Sequence, residues 1–278
     1  MTIKAILVHI DDRSGCEQRI ELAARLAKRL GSRLDGLYLV AAYRASEDDD
    51  RLLPPVELAK HMSEKEARQR GEALFRRIAA SATLADVGFE VVDGDAIDAG
   101  IPEIRCSDLT IIGQPDMQSN RAGASRHLAE NAVIGGGAPI LLVPDKGVHT
   151  DSGSHVIIAW DGGREAARSV RDALQLMQRA DRVTVVSWVD RHDMTQDGTR
   201  SHARLGGYLL AHGIEAQFKR LHGAAAEVGE RLLSQAADIG ADLIVMGGYG
   251  HARLRELVLG GATRQILETM TVPVLMSH

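Results

Sequence analysis

Short unbroken apolar runs alternate along the chain with longer stretches in which apolar residues recur at helical spacing. Ala5-Ile6-Leu7-Val8-His9-Ile10 is closed by Asp11, and Val156-Ile157-Ile158-Ala159-Trp160 is closed by Asp161. A short β-branched run that empties into a polar turn is how a strand buried on both faces reads. After the first run, Ile20, Leu22, Ala23, Leu26 and Leu30 mark one helix face, ended by Gly31; after the second, Ala166, Val170, Ala173, Leu174 and Met177 do the same. Strands alternating with helices predict right-handed crossovers and a parallel sheet covered on both faces.

The pattern occurs twice. Ser107-Asp108-Leu109-Thr110-Ile111-Ile112-Gly113 lies over Ala241-Asp242-Leu243-Ile244-Val245-Met246-Gly247, and without a gap Pro139-Ile140-Leu141-Leu142-Val143 lies over Pro273-Val274-Leu275-Met276. A period this long indicates duplicated domains rather than a solenoid. The seam is the turn-rich stretch between Pro144 and Ser154, which predicts domains at 1–147 and 153–278. Each half reads β-α-β-α-β-α-β-α-β, with strands in the second at about 155–160, 182–189, 215–221, 242–247 and 272–277. The expected fold class is therefore α/β, as two tandem doubly wound five-stranded parallel-sheet domains. The first half adds a long charged helix at roughly 55–82, preceded by Glu47-Asp48-Asp49-Asp50. That acidic run reads as a solvated loop rather than a metal site.

Composition narrows the function. Aromatic residues are only 3% of the chain and the formal net charge is -5. A stacking platform for single strands and a basic surface for DNA are both excluded on that account. Cys16 and Cys106 form neither a disulfide framework nor a metal quartet. With no signal-peptide pattern in MTIKAILVHIDD and no run long enough to span a bilayer, a cytoplasmic protein is expected. No GxxxxGK[ST], HExxH or GxSxG occurs.

In a doubly wound sheet, ligands bind beyond the carboxyl ends of the strands. After the fourth strand of the second half stand Gly247-Gly248-Tyr249-Gly250, nine residues from His251 to Leu259, and Gly260-Gly261-Ala262-Thr263-Arg264 opening a helix. Glycines bring backbone N–H groups close to a ligand, and the start of a helix attracts an anion. Thr263 adds a hydroxyl, while Arg253, Arg255 and Arg264 add positive charge. The segment reads as a phosphate cradle; the plainer alternative is a set of tight turns.

Gly-x2-Gly-x9-Gly after Ala-Asp-Leu-Ile-Val-Met-Gly, followed by a helix and Val-Pro-Val-Leu, resembles the universal stress protein family. The likeness covers the chain twice, as in a tandem member. It implies a Rossmann-like fold of the adenine nucleotide alpha hydrolase-like kind. It also implies ATP, with ADP or AMP as alternatives and Mg as a companion ion. By position, Asp161 would reach the adenosine part and Met246 and Gly247 would border the ribose. Gly250, Gly260, Gly261 and Thr263 would surround the phosphates. His251, Arg253 and Arg264 are candidate phosphate contacts, His251 being alternatively an exposed loop residue. Trp160 and Trp188 either border the adenine or are ordinary packing. The family's Ser or Thr after the third glycine is Gly261 here, which removes one hydroxyl ligand.

In the first half the same register sets Gln114, Pro115 and Asp116 against Gly248, Tyr249 and Gly250, and Arg126 and His127 against Gly260 and Gly261. A carboxylate facing phosphate is unfavourable in a partly buried cleft. The N-terminal site is therefore expected to be degenerate. Asp161-Gly162-Gly163-Arg164-Glu165 is expected to be a strand-to-helix turn capped by Asp161. No catalytic base is evident, so no catalytic residue is assigned. A nucleotide-responsive regulator with a protein partner is the first reading. A slow ATPase or phosphotransferase and a nucleotide-free dimerisation scaffold are the alternatives. The resemblance also implies pairing of domains through their last strands, for which the aliphatic runs 139–143 and 272–276 are suitable, giving an intramolecular pseudo-dimer or a homodimer of such chains.

Overall fold

The computed structural model describes residues 2–41, 55–94, 97–115, 123–147, 149, 152–189, 197–222, 227–249 and 261–278. In the N-terminal half, strands β1 (Ala5–Ile10), β2 (Arg33–Ala41), β3 (Val87–Gly94), β4 (Leu109–Gly113) and β5 (Ile140–Val143) are linked by helices. These are α1 (Cys16–Leu30), α2 (Pro55–Ser81), α3 (Gly100–Ile104) and α4 (Gly123–Gly135). The C-terminal half has strands β6 (His155–Trp160), β7 (Arg182–Val189), β8 (Ala216–His222), β9 (Leu243–Gly247) and β10 (Val274–Ser277). Its helices are α5 (Arg164–Asp172), α6 (Leu174–Met177), α7 (Asp197–Ala211), α8 (Val228–Ile239) and α9 (Gly261–Thr269). The acidic run at 47–50 lies outside the described residues.

The strands form one ten-stranded sheet in the order β3-β2-β1-β4-β5-β10-β9-β6-β7-β8. Within each half all neighbours are parallel, and the halves join where Val274, Leu275 and Met276 pair antiparallel with Leu142, Leu141 and Ile140. The aliphatic last strands of the repeat thus satisfy each other's backbone groups, leaving β3 and β8 at the edges.

The pleat sends alternate side chains into two cores. One lies under α1, α2, α5, α6 and α7 and includes Ile6, Val8, Ile20, Phe75, Leu141, Val156 and Leu275. The other lies under α3, α4, α8 and α9 and includes Leu7, Ile104, Leu142, Ile157, Met246, Ile266 and Met276. Each core runs through both halves without interruption. The join therefore buries apolar side chains of both halves as well as pairing two strands.

Glycines end two of the helices. Gly31 closes α1 in the left-handed region at φ 66, and Gly240 closes α8 at φ 63. The repeated Asp-Leu has a structural role: Asp242 accepts the N–H groups of Gly153, Ser154 and His155 at 2.9–3.0 Å. Its counterpart Asp108 accepts those of Lys4 and Ala5 at 2.7 and 3.0 Å. Each aspartate registers an incoming first strand against the fourth. The stretch read as one helix over Ala166–Met177 is two, broken at Ala173. In each half the first and fourth strands lie side by side and send their following helices to opposite faces. The crevices between β1 and β4 and between β6 and β9 are therefore the switch points where ligands can enter.

Candidate functional site

In the C-terminal crevice, β6 delivers an exposed Asp161 whose Oδ1 accepts the N–H of Gly163 at 2.7 Å. Gly163, with extended backbone, is the residue at the cap position of α5, and no side chain caps the helix. Asp161 therefore closes the turn before α5 rather than capping the helix, because its side chain is consumed two residues on. β9 ends at Gly247, where a Cβ would lie 2.6 Å from the backbone N of Ala166 and 2.7 Å from the carbonyl carbon of Glu165. Only glycine lets the strand end rest against the first turn of α5. Glu165 is buried and hydrogen-bonded by Arg164. Burial opposes its charge, but Arg164 outweighs this and holds the carboxyl below its usual range.

Met246 is buried in the core that contains Ile266 and Leu267 of α9, with Ala159, Leu221 and Tyr249 packed against it. Trp188 follows Val186 at a two-residue interval and so faces the same side. Its Nε1 is buried and has no hydrogen-bond partner. Trp160 packs into the other core and donates Nε1–H to Ser201 Oγ on α7 at 2.9 Å. The two tryptophans therefore lie on opposite faces of the sheet. Tyr249 leaves β9 at φ 56, a left-handed conformation rare outside glycine.

Gly261 is the first residue of α9, and Thr263 in its first turn is 5% exposed. Arg264 pairs with Glu268 one turn along at 2.8 Å. Gly250, His251, Arg253, Arg255 and Gly260 lie outside the described residues. Among the described residues, Asp161, Met246, Gly247, Gly261 and Thr263 are thus carried by the end of β6, the end of β9 and the start of α9, the elements that bound one switch point. Among the described residues no group of three or more His, Cys, Asp or Glu could hold a metal ion. No helix among them is long and apolar enough to cross a membrane.

The N-terminal crevice is built differently. Arg19, 1% exposed, reaches back from α1 to the end of β1. Its Nε donates to His9 O and its Nη2 to Asp11 Oδ1, both at 2.8 Å. Its Nη1 is buried against Gly113, the counterpart of Gly247, with no hydrogen-bond partner. Arg13 binds Asp145, and its Nη1 donates to Gln114 O at 2.6 Å. Where the backbone of α5 lies against Gly247, a guanidinium lies against Gly113. Burial foremost, with Arg19 and Arg13, pushes His9 down to about 4 despite the nearby Asp11. Burial works against the Asp11 carboxylate, yet Arg19 holds it below its usual range. Asp116 lies outside the described residues, as do the side chains of Arg126 and His127.

This cluster escaped the reading of the sequence. Its signal was an arginine on the buried stripe of a helix, between Cys16 and Ala23, eight residues after an aspartate at a strand end.

The two halves also exchange contacts at these loops. Gln114 donates its side-chain amide to Leu267 O at 3.0 Å and Glu268 O at 3.2 Å, at the end of α9. At the matching position stands Gly248, where a Cβ would lie 2.5 Å from Val133 Cγ1 of α4. Gly248 O accepts from His278 Nδ1 at 3.0 Å.

Comparison with known proteins places this geometry. A profile of the universal stress protein family matches residues 154–278. Over 98% of its length the chain is 24% identical to a universal stress protein of Synechocystis sp., covering 99% of that protein. In fold it is similar to a universal stress protein from Archaeoglobus fulgidus, with a TM-score of 0.73 at 17% identity, covering all of this chain and 99% of that one. A protein of unknown function from Pseudomonas aeruginosa superposes with a TM-score of 0.58 at 16% identity, over 99% of this chain and 92% of that one. Residues 154–278 thus form a domain of the universal stress protein family, and a second α/β unit of the same strand order stands ahead of it.

Proposed function

We propose that the domain at 153–278 binds an adenine nucleotide, and that the chain acts as a nucleotide-responsive regulator in the stress response of the cytoplasm. ATP is the first candidate, ADP and AMP the smaller ones, with Mg accompanying the phosphates. The domain at 1–147 serves as a structural partner. The observation that supports this is Gly247: having no Cβ, it lets the end of β9 rest on the first turn of α5 at the switch point. Opposite it, α9 opens at Gly261 and supplies N-terminal amides that favour phosphate oxygens.

In this reading Asp161 accepts from the ribose, and Met246 with Trp188 borders the base and sugar on the α9 face. Gly250, Gly260, Gly261 and Thr263 receive the phosphates, with His251, Arg253 and Arg264 as further contacts. Both carboxylates of the described crevice already accept hydrogen bonds, Asp161 from Gly163 and Glu165 from Arg164. Neither is arranged as a general base toward water, which supports binding and release over efficient turnover.

Isothermal titration of the wild-type chain with ATP, ADP and AMP tests the proposal, and absence of heat at millimolar nucleotide overturns it. Gly250→Asp, the residue found at the matching place in the first half, should weaken binding about tenfold or more by setting like charges together. An unchanged affinity would show that 250 does not face phosphate.

A further inference from the structure

We infer that Gln114, in the N-terminal half, is a positioning residue for the nucleotide site of the C-terminal half. It would act by holding the far end of α9. This rests on the nucleotide-binding reading above. Helix α9 has nine residues, so it is about 14 Å long and moves as a short rod. One end opens at Gly261 beside the crevice. The other leaves its last carbonyls without intrahelical partners, and Gln114 Nε2 supplies two of them, on Leu267 and Glu268.

Gln114 is itself immobilised on every side. Its N–H donates to Val143 O at 2.7 Å, and its carbonyl accepts from Arg13. Its Oε1 accepts the N–H of Asp145 at 3.4 Å, and Asp145 is bound by Arg13. The ion cluster that fills the N-terminal crevice is thereby the base on which the clamp stands.

The repeat supplies the contrast. The counterpart of Gln114 is Gly248 and the counterpart of Leu267 is Val133, and there the two touch with no room for a side chain. Among the described residues, the helix that opens the C-terminal cradle is held by a side-chain amide from the other half and its counterpart α4 is not. Among the described residues the amide clamp thus runs from the filled crevice to the helix that opens the other one, while in the reverse direction Arg168 Nη2 reaches Gly137 O beyond α4 at 3.3 Å. Ordering α9 before the ligand arrives raises the fraction of chains competent to bind.

The experiment titrates ATP calorimetrically into wild type, Gln114→Glu, Gln114→Leu and Gln114→Lys, with hydrogen exchange of α9 followed in nucleotide-free protein. Gln114→Glu keeps the length but offers no donor, and Gln114→Leu removes donor and charge alike. Both should bind ATP about five- to tenfold more weakly and exchange α9 amides faster. Gln114→Lys, whose ammonium can donate to the same carbonyls, should bind within about twofold of wild type. A merely structural role would lower thermal stability in Glu and Leu without changing affinity, and that result overturns the inference. If wild type itself binds no nucleotide, the functional reading fails instead, and the exchange data then describe a helix-end contact alone.

Discussion

Arg19→Met lowers the unfolding free energy by about 3–5 kcal/mol, read as the shift of the urea midpoint. The substitution is nearly isosteric along the stem, so the loss comes from the head group. Arg19 is 1% exposed and binds both Asp11 and the carbonyl of His9. Its removal leaves an aspartate in a largely buried setting without its cation, and breaking one partner of such a pair is the costly case. The double variant Arg19→Met/Asp11→Asn should recover a substantial part, because the stranded charge goes with its partner. A single variant as stable as wild type would show that the cluster contributes nothing net.

Wild type also loses about 3 kcal/mol of stability between pH 6.5 and pH 4 through His9. In the folded chain His9 titrates at about 4, against 6.5 when unfolded. Above 6.5 both states are neutral and stability does not depend on this group. As pH falls below 6.5 the unfolded chain takes up the proton first, so folding weakens at about 1.4 kcal/mol per pH unit until the folded imidazole follows near 4. Asp11, held below its ordinary value by Arg19, adds a further loss at pH below about 3.8. His9→Gln should flatten the curve between 6.5 and 4 and leave the steeper acid limb. If His9→Gln keeps the full slope, the imidazole is not the group responsible. The two effects are coupled: Arg19 and Arg13 both disfavour the imidazolium, so in Arg19→Met the His9 transition should move up toward 6.5.

The strands were legible because a two-sided buried strand leaves an unbroken aliphatic run, and β6 and β7 span the residues predicted for them. The end of β9 at Gly247 and a helix opening within Gly260–Arg264 were legible too, whereas the packing of Gly247 on the first turn of α5 was not. The expectation of a degenerate N-terminal crevice rested on Asp116, Arg126 and His127, which lie wholly or by their side chains outside the described residues; the groups that cluster in that crevice among the described residues are Arg19, Arg13, Asp11 and Asp145. Arg19 was missed because a sequence does not show which way a long side chain turns, and arginines are mostly exposed. Trp160 and Trp188 looked alike along the chain, yet the pleat sends them to opposite faces.

By itself, the order of residues determined what depends on neighbours within a few positions: the strand and helix alternation, the duplicated register, and the glycine-bounded segment after β9. Tertiary structure decided what depends on which distant groups meet. It paired β5 with β10 so that two halves share both cores, and it folded a guanidinium into one crevice while leaving backbone against glycine in the other. It also laid the amide of Gln114 against the end of α9, 153 and 154 residues away. Local conformational preference carries no information about such meetings, because burial and charge pairing act on distance in space and not on separation along the chain.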